Sequence, residues 1–181
     1  MSFRKPQRKD HRVQRMSNLA EPAVVRKKVR VNVPIERAFR VFVEQMESWW
    51  PATHHIAKTP FEAIFVEPRV GGRWYERDAE GKLTDWGKVL VWEPPHRVTF
   101  SWHVGPGHDQ PDWVCDPDIA KASEVEIRFT TEGPGTTLVE LEHSKLERHG
   151  EGHQKLRDLF DGPGAWSQIL GEFAKAANGE L

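Results

Sequence analysis

The sequence predicts an α+β fold: one curved antiparallel sheet of about seven strands wrapped around a C-terminal helix, in the order β-α-β6-α. Three observations carry this. Hydrophobicity alternates with period two in seven short runs. Most links between those runs are of hairpin length, which forces antiparallel neighbours. Only two long segments, after Pro34 and after Pro163, place apolar residues at three- and four-residue spacing.

The first run is VRKKVRVNVP. Val25, Val29, Val31 and Val33 share one parity, and Arg26, Lys28, Arg30 and Asn32 the other, as in a strand with one wet face. Pro34 suits the first position of a helix, where its missing N–H costs nothing. Ile35, Ala38, Phe39, Phe42, Val43 and Met46 then form an apolar stripe that runs out near Trp49, and Pro51 stops the helix. From Phe61 to His143 the period returns to two. FEAIFVE, GRWYERD, TDWGKVLVWE, RVTFSWHV, SEVEIRFTTE and TTLVELEHS are separated by PRVGG, AEGK, PP, a Gly/Pro-rich loop at 105–118, and GPG. A short helical piece spans about His153 to Phe160. Asp161, Gly162 and Pro163 signal the start of the last helix, with Trp166, Ile169, Leu170, Phe173 and Ala177 on one stripe.

Length and composition fit one globular domain over residues 23–181, with 29% charged and 38% hydrophobic residues. Residues 1–22 read as a disordered basic arm, since residues 1–15 hold six Lys/Arg against Asp10. That arm is the one hint of nucleic acid or anionic lipid; a solvated leader is the simpler reading. Met16, followed by SNLAEPA, stands as an alternative start. The arm has no apolar core of a signal peptide, and no run approaches a membrane span. One cysteine, Cys115, excludes an internal disulfide and suits a reducing cytoplasm. Tryptophan is the compositional excess, eight against one tyrosine. Such rings fill cores and line apolar pockets.

Several strings, in order, resemble the START-like or birch-allergen-like helix-grip superfamily. They are VPIERAFRVF, PRVGGRWYE, GKVLVWEPPHRVTFSW, SEVEIRFTTEGPGTTLVELEH and GAWSQILGEF. Within that superfamily they resemble the SRPBCC domains homologous to the activator of heat-shock protein 90 ATPase. The resemblance covers about residues 24–177; the arm and the 105–118 loop fall outside it. It implies a hydrophobic cavity between sheet and final helix. It implies no single activity, because relatives include lipid carriers, hormone receptors, polyketide cyclases or aromatases, and co-chaperones.

Strand parity selects the cavity-facing residues. Val98, Phe100 and Trp102 point inward on one strand and Val125, Ile127 and Phe129 on the next. Val139 and Leu141 follow, which brings His143 inward although Leu138 opposes that phase. In GGRWYERD, Trp74 and Glu76 are the inward pair, because the alternative buries Arg73 and Arg77 and two guanidiniums cost more than one carboxylate. In DWGKVLVW the parities balance: Trp86, Leu90 and Trp92 compete with Val89 and Val91. Trp49 and Trp50 are about 100° apart on a helix, so one packs inward and the other guards the cavity mouth, with His54 and His55 in the loop that follows. The candidate ligand-binding set is therefore Trp50, His55, Trp74, Glu76, Phe100, Trp102, Phe129, Leu141, His143, Trp166 and Leu170.

Three functions remain open. A small hydrophobic or aromatic molecule held in the cavity is the leading one. A cyclase- or hydrolase-type enzyme would use Glu76 and His143 as a general acid–base couple; purely structural partners for both are the simpler alternative. A chaperone partner or a homodimer is the third. No cofactor is expected. No metal is expected either, since HExxH and paired CxxC are absent and adjacent His54 and His55 point apart if extended. HDQPDWVCDPD, His108 to Asp118, lacks the calcium-loop pattern. GGRWYE opens a strand and lacks the full dinucleotide fingerprint. No serine sits in a GxSxG elbow, and Cys115 has no basic neighbour to activate it.

Overall fold

The computed structural model describes residues 22–107 and 112–181. The basic arm, the alternative start at Met16 and the head of the 108–118 segment lie outside the described residues.

Among the described residues nine strands form: β1 (Val25–Val31), β2 (Phe61–Val66), β3 (Arg73–Asp78), β4 (Leu83–Glu93), β5 (Arg97–Trp102), β6 (Val104–Pro106), β7 (Trp113–Cys115), β8 (Ser123–Gly133) and β9 (Thr136–Ser144). Seven make one sheet in the order β1-β9-β8-β5-β4-β3-β2, with every neighbouring pair antiparallel. This is the expected sheet. The short ribbon β6–β7 inside the 105–118 loop was not expected, because three-residue strands are too short for alternation to show.

The helices are α1 (Ile35–Glu44), α2 (Met46–Trp49), α3 (His153–Asp161) and α4 (Trp166–Asn178). The expected stripe of α4 is buried in full: Trp166, Ile169, Leu170, Phe173 and Ala177. It packs on the concave face of the sheet, where α1 joins it through Phe42, 5.1 Å from Phe173 and 5.8 Å from Phe129 between ring centres. The first helix is not continuous to Trp49. Gln45, at φ −119° and ψ 24°, leaves the helical region and separates α1 from α2. Trp50 is already extended, at φ −63° and ψ 129°. The helical 100° rule therefore stops one residue short of it. Both rings are buried, Trp49 against Phe42 and Phe173 and Trp50 against Trp74 and Trp86.

Inward parity on β3, β5, β8 and β9 is as expected; Trp74, Glu76, Phe100, Trp102, Phe129, Leu141 and His143 are all buried. On the outer face of β3, Arg73 lies over the Tyr75 ring and pairs with Asp85, while Arg77 lies over Phe65 and pairs with Glu62. The ambiguity of β4 has a physical cause. Register shifts occur against β3 between Trp74 and Tyr75 and against β5 between Val89 and Val91. Each bulge resets the phase, so Trp86, Val89 and Trp92 belong to the inner side although they do not share one parity; Trp92 packs on Phe39 at 5.3 Å.

Candidate functional site

The tryptophans converge. Trp74 from β3, Trp86 from β4 and Trp102 from β5 meet pairwise at 5.5–5.6 Å. Trp166 from α4 reaches Trp102 at 5.3 Å, Trp50 reaches Trp86 at 5.3 Å, and Phe100 backs Trp74 at 4.6 Å. These contacts are largely edge-to-face or tilted, the arrangements ring quadrupoles favour. All six rings are buried. The space between sheet and α4 is thus filled by aromatic side chains over most of its depth, where a hollow was expected.

An opening survives at its mouth. A cleft of about 250 Å³ is walled by Trp50, Trp86, Trp102, Trp113 and Phe160, with Thr53, His54, His55 and Ile56 on the connecting loop. Among the expected ligand residues, Trp50, His55 and Trp102 line it. Trp74, Phe100 and Trp166 form a second layer against its rings. Phe129, Leu141 and Leu170 lie in the core, Phe129 against Phe39 and Phe42. Sequence reading missed Phe160 and Trp113. Phe160 was legible as the partner of Leu156 at i+4 on α3; Trp113 sits in the ribbon no pattern marks.

Glu76 and His143 do share the inner side of the sheet, but four strand steps separate β3 from β9. Trp86 and Trp102 lie between them: Trp86 donates to Glu76 and Trp102 stacks at 5.3 Å on His143. An acid–base couple needs direct or one-water reach, so the two do not form one. Each has its own partners. The Glu76 carboxylate accepts from the backbone N–H of Ile56 (3.1 Å) and Ala57 (2.6 Å) and from Trp86 Nε1 (2.9 Å). It moors the 51–60 loop to the sheet. His143 accepts from Trp166 Nε1 at its Nδ1 (3.0 Å), so its own proton is on Nε2, which meets Ser123 Oγ at 2.8 Å. Ser123 Oγ also lies 2.8 Å from His149 Nε2. Burial, with His149 nearby, pushes the His143 pKa well below the usual imidazole range; burial, reinforced by His103, lowers that of His149.

The loop histidines differ. His54 is closed: Nε2 donates to Gly164 carbonyl oxygen at 2.7 Å and Nδ1 faces Thr53 Oγ1 at 3.1 Å. His55 Nδ1 lies 3.0 Å from Ala57 carbonyl oxygen. A carbonyl only accepts, so Nδ1 carries a proton, and in the neutral ring Nε2 keeps a lone pair. Among the described residues Nε2 has no protein partner. The cleft is an aromatic box with His55 on its rim.

The family model for Activator of Hsp90 ATPase homolog 1-like protein matches residues 32–177. The chain belongs to that family. Solved structures agree. An anthrahydroquino-γ-pyrone synthase, solved as a complex, is 40% identical over 84% of this chain and 95% of its own, with a TM-score of 0.58. The self-sacrificing resistance protein CalC from Micromonospora echinospora is 27% identical over 87% and 95%, with a TM-score of 0.60. A protein from Nitrosomonas europaea, 16% identical with a TM-score of 0.60, shares the fold. No curated protein matches the chain.

In this Activator of Hsp90 ATPase homolog 1-like domain a second, larger cleft of about 520 Å³ lies beyond Trp113, between the β6–β7 ribbon and α3. Some of its polar groups pair with one another. His103 Nδ1 bonds to Asp116 carbonyl oxygen at 2.7 Å, and Lys121 pairs with the Asp116 carboxylate at 2.9 Å. Burial pushes the Cys115 thiol up to about 11, away from the thiolate form that nucleophilic chemistry uses. Among the described residues no cluster of three His, Cys, Asp or Glu is placed to hold a metal, and no helix is long and apolar enough to cross a membrane.

Proposed function

We propose that this domain binds a planar, oxygenated aromatic molecule in the cleft mouthed by Trp50, Trp102 and Phe160. The observation that carries the reading is the cleft itself: apolar rings on its walls and one histidine, His55, whose tautomer is fixed by Ala57 so that Nε2 accepts. Ring walls with few polar groups suit flat apolar ligands, and the polar groups set orientation. A ligand hydroxyl would donate to His55 Nε2. The 40% identity to an anthrahydroquino-γ-pyrone synthase supports the same ligand class.

The test is calorimetric titration with the matched pair fluorene and 2-hydroxyfluorene, with chemical-shift mapping. Saturable binding with perturbations at Trp50, Trp102 and Phe160 is expected. His55→Phe should weaken 2-hydroxyfluorene by about 3- to 10-fold and leave fluorene unchanged. Failure of both probes to bind, or perturbations confined to another surface, ends the reading.

The synthase relative favours a second reading, in which the bound molecule is also transformed. His55 Nε2 would take the proton of a phenol, and the phenoxide oxygen would close onto a carbonyl carbon. For 1-(2-hydroxyphenyl)butane-1,3-dione this gives 2-methylchromone and water. Acceleration by the wild type and its loss in His55→Phe support this reading; a rate equal to that in buffer removes it.

A further inference from the structure

Among the described residues six tryptophans are buried, and five of their indole N–H groups are assigned. Trp49 donates to Val41 carbonyl oxygen (2.8 Å), Trp50 to His54 carbonyl oxygen (2.8 Å), and Trp86 to Glu76 (2.9 Å). Trp102 donates to Val104 carbonyl oxygen (2.6 Å) and Trp166 to His143 (3.0 Å). The sixth, Trp74 Nε1, is the one buried side-chain nitrogen or oxygen among the described residues with no protein hydrogen-bond partner. The residue is 1% exposed. An indole nitrogen only donates, and buried donors are almost always paired, so an exception calls for a reason.

The position of its ring supplies one. The Trp74 ring touches three walls of the cleft, lying 6.0 Å from Trp50, 5.6 Å from Trp86 and 5.5 Å from Trp102. The edge-to-face neighbours offer it at most a weak N–H···π contact. Trp86 and Trp102 are held in sheet strands. Trp50 comes from the connecting segment after α2, and its indole N–H bonds only to the loop carbonyl of His54. Of the three walls it is the one whose displacement leaves the sheet intact.

We infer that Trp74 is a ligand-recognition residue, whose N–H donates to a carbonyl oxygen of the aromatic molecule when the Trp50 ring turns aside. This rests on the proposed use of the cleft and narrows it: the molecule carries a ring ketone, quinone or pyrone oxygen as well as a hydroxyl. The domain by itself gives this donor no protein partner, and a bare hydrocarbon cannot use it. The arrangement discriminates as a buried polar group does, by what it leaves unpaired with the wrong ligand.

Fluorene and 9-fluorenone differ by a methylene against a carbonyl on the same ring frame. The wild type should bind fluorenone about 3- to 10-fold more tightly. Trp74→Phe should erase that preference while fluorene affinity stays within about two-fold. On the unmutated protein, the Trp74 indole proton should move downfield with fluorenone and not with fluorene, which removes any dependence on how the variant folds. A preference absent in the wild type, or retained in Trp74→Phe, or an indole proton unmoved by bound fluorenone, overturns the inference while leaving fluorene binding in the cleft standing. If neither probe binds the wild type, the reading of the cleft fails and this inference falls with it.

Discussion

The indole N–H of Trp166 donates to Nδ1 of His143 across 3.0 Å and ties the first turn of α4 to the inner face of β9. A protonated His143 would present a second donor at that nitrogen, so the bond holds the ring neutral. Burial acts in the same direction, and it also lowers the pKa of His149. Both folded pKa values lie below the unfolded value of about 6.5. The sign follows: above about pH 6.5 neither state takes the proton, and below it the unfolded chain does while the folded one refuses. Stability is full at pH 7.5 and falls as pH drops from about 6.5 toward the folded pKa values, by up to about 1.4 kcal/mol per pH unit for the buried His143 and by less for the half-buried, partly solvated His149. Thermal melts from pH 7.5 to 5 should show this slope. His143→Gln should flatten it, leaving the part owed to His149; an unchanged slope would assign it elsewhere.

Glu76 is spent on the fold, and its substitution separates structure from chemistry. Glu76→Gln places an amide where three N–H donors converge, from Ile56, Ala57 and Trp86. At least one donor then meets another donor. The expected loss is about 2–3 kcal/mol in urea denaturation, with faster amide exchange at Ile56 and Ala57. A variant of wild-type stability and unchanged exchange would show that the carboxylate is not the mooring of this loop.

The sheet and the α4 stripe were readable because two periods, 2 and 3.6, run unbroken through β5, β8, β9 and the last helix. Even the inward phase of Trp74 and Glu76 followed from comparing the burial of one carboxylate with that of two guanidiniums. What escaped was non-periodic. Two bulges in β4 let Trp86, Val89 and Trp92 all belong to the inner side. Gln45 broke a stripe that looks continuous. The degree of filling was hidden as well. Parity tells which rings point inward and nothing of whether they leave a gap, so the expected hollow became a shallow cleft. Trp113 reaches that cleft from a ribbon too short for any pattern, and the lone pair of His55 depends on a carbonyl two residues along the chain.

Gly87 is needed for the approach of β4 to β5. A Cβ there would stand 1.8 Å from the Ser101 carbonyl oxygen, a backbone atom that cannot move aside without parting the strands. Gly87→Ala should cost about 2–3 kcal/mol and, because Trp86 is adjacent, disturb the indole cluster. Near-ultraviolet circular dichroism reports the second effect and denaturant melts the first. An alanine variant with both unchanged would mean that the strands yield freely at this point.

Phe160 offers a case in which stability and ligand capacity should move in opposite directions. Its ring packs 5.4 Å from Trp102, 5.9 Å from Trp113 and 4.8 Å from His143, and it forms one wall of the cleft. Phe160→Ala removes those contacts. The residue lies at the mouth, so the cost should fall at the low end for this kind of change, about 3 kcal/mol. The space gained borders rings on several sides and stays apolar, and dry apolar cavities of this kind take up small aromatic molecules. The variant should therefore melt lower yet bind benzene-sized probes that the wild type leaves in solution, as followed by calorimetry or by perturbation of the Trp102 resonances. If it melts lower and gains no such binding, neighbouring rings have collapsed into the space, and the cleft walls are more mobile than their mutual packing indicates.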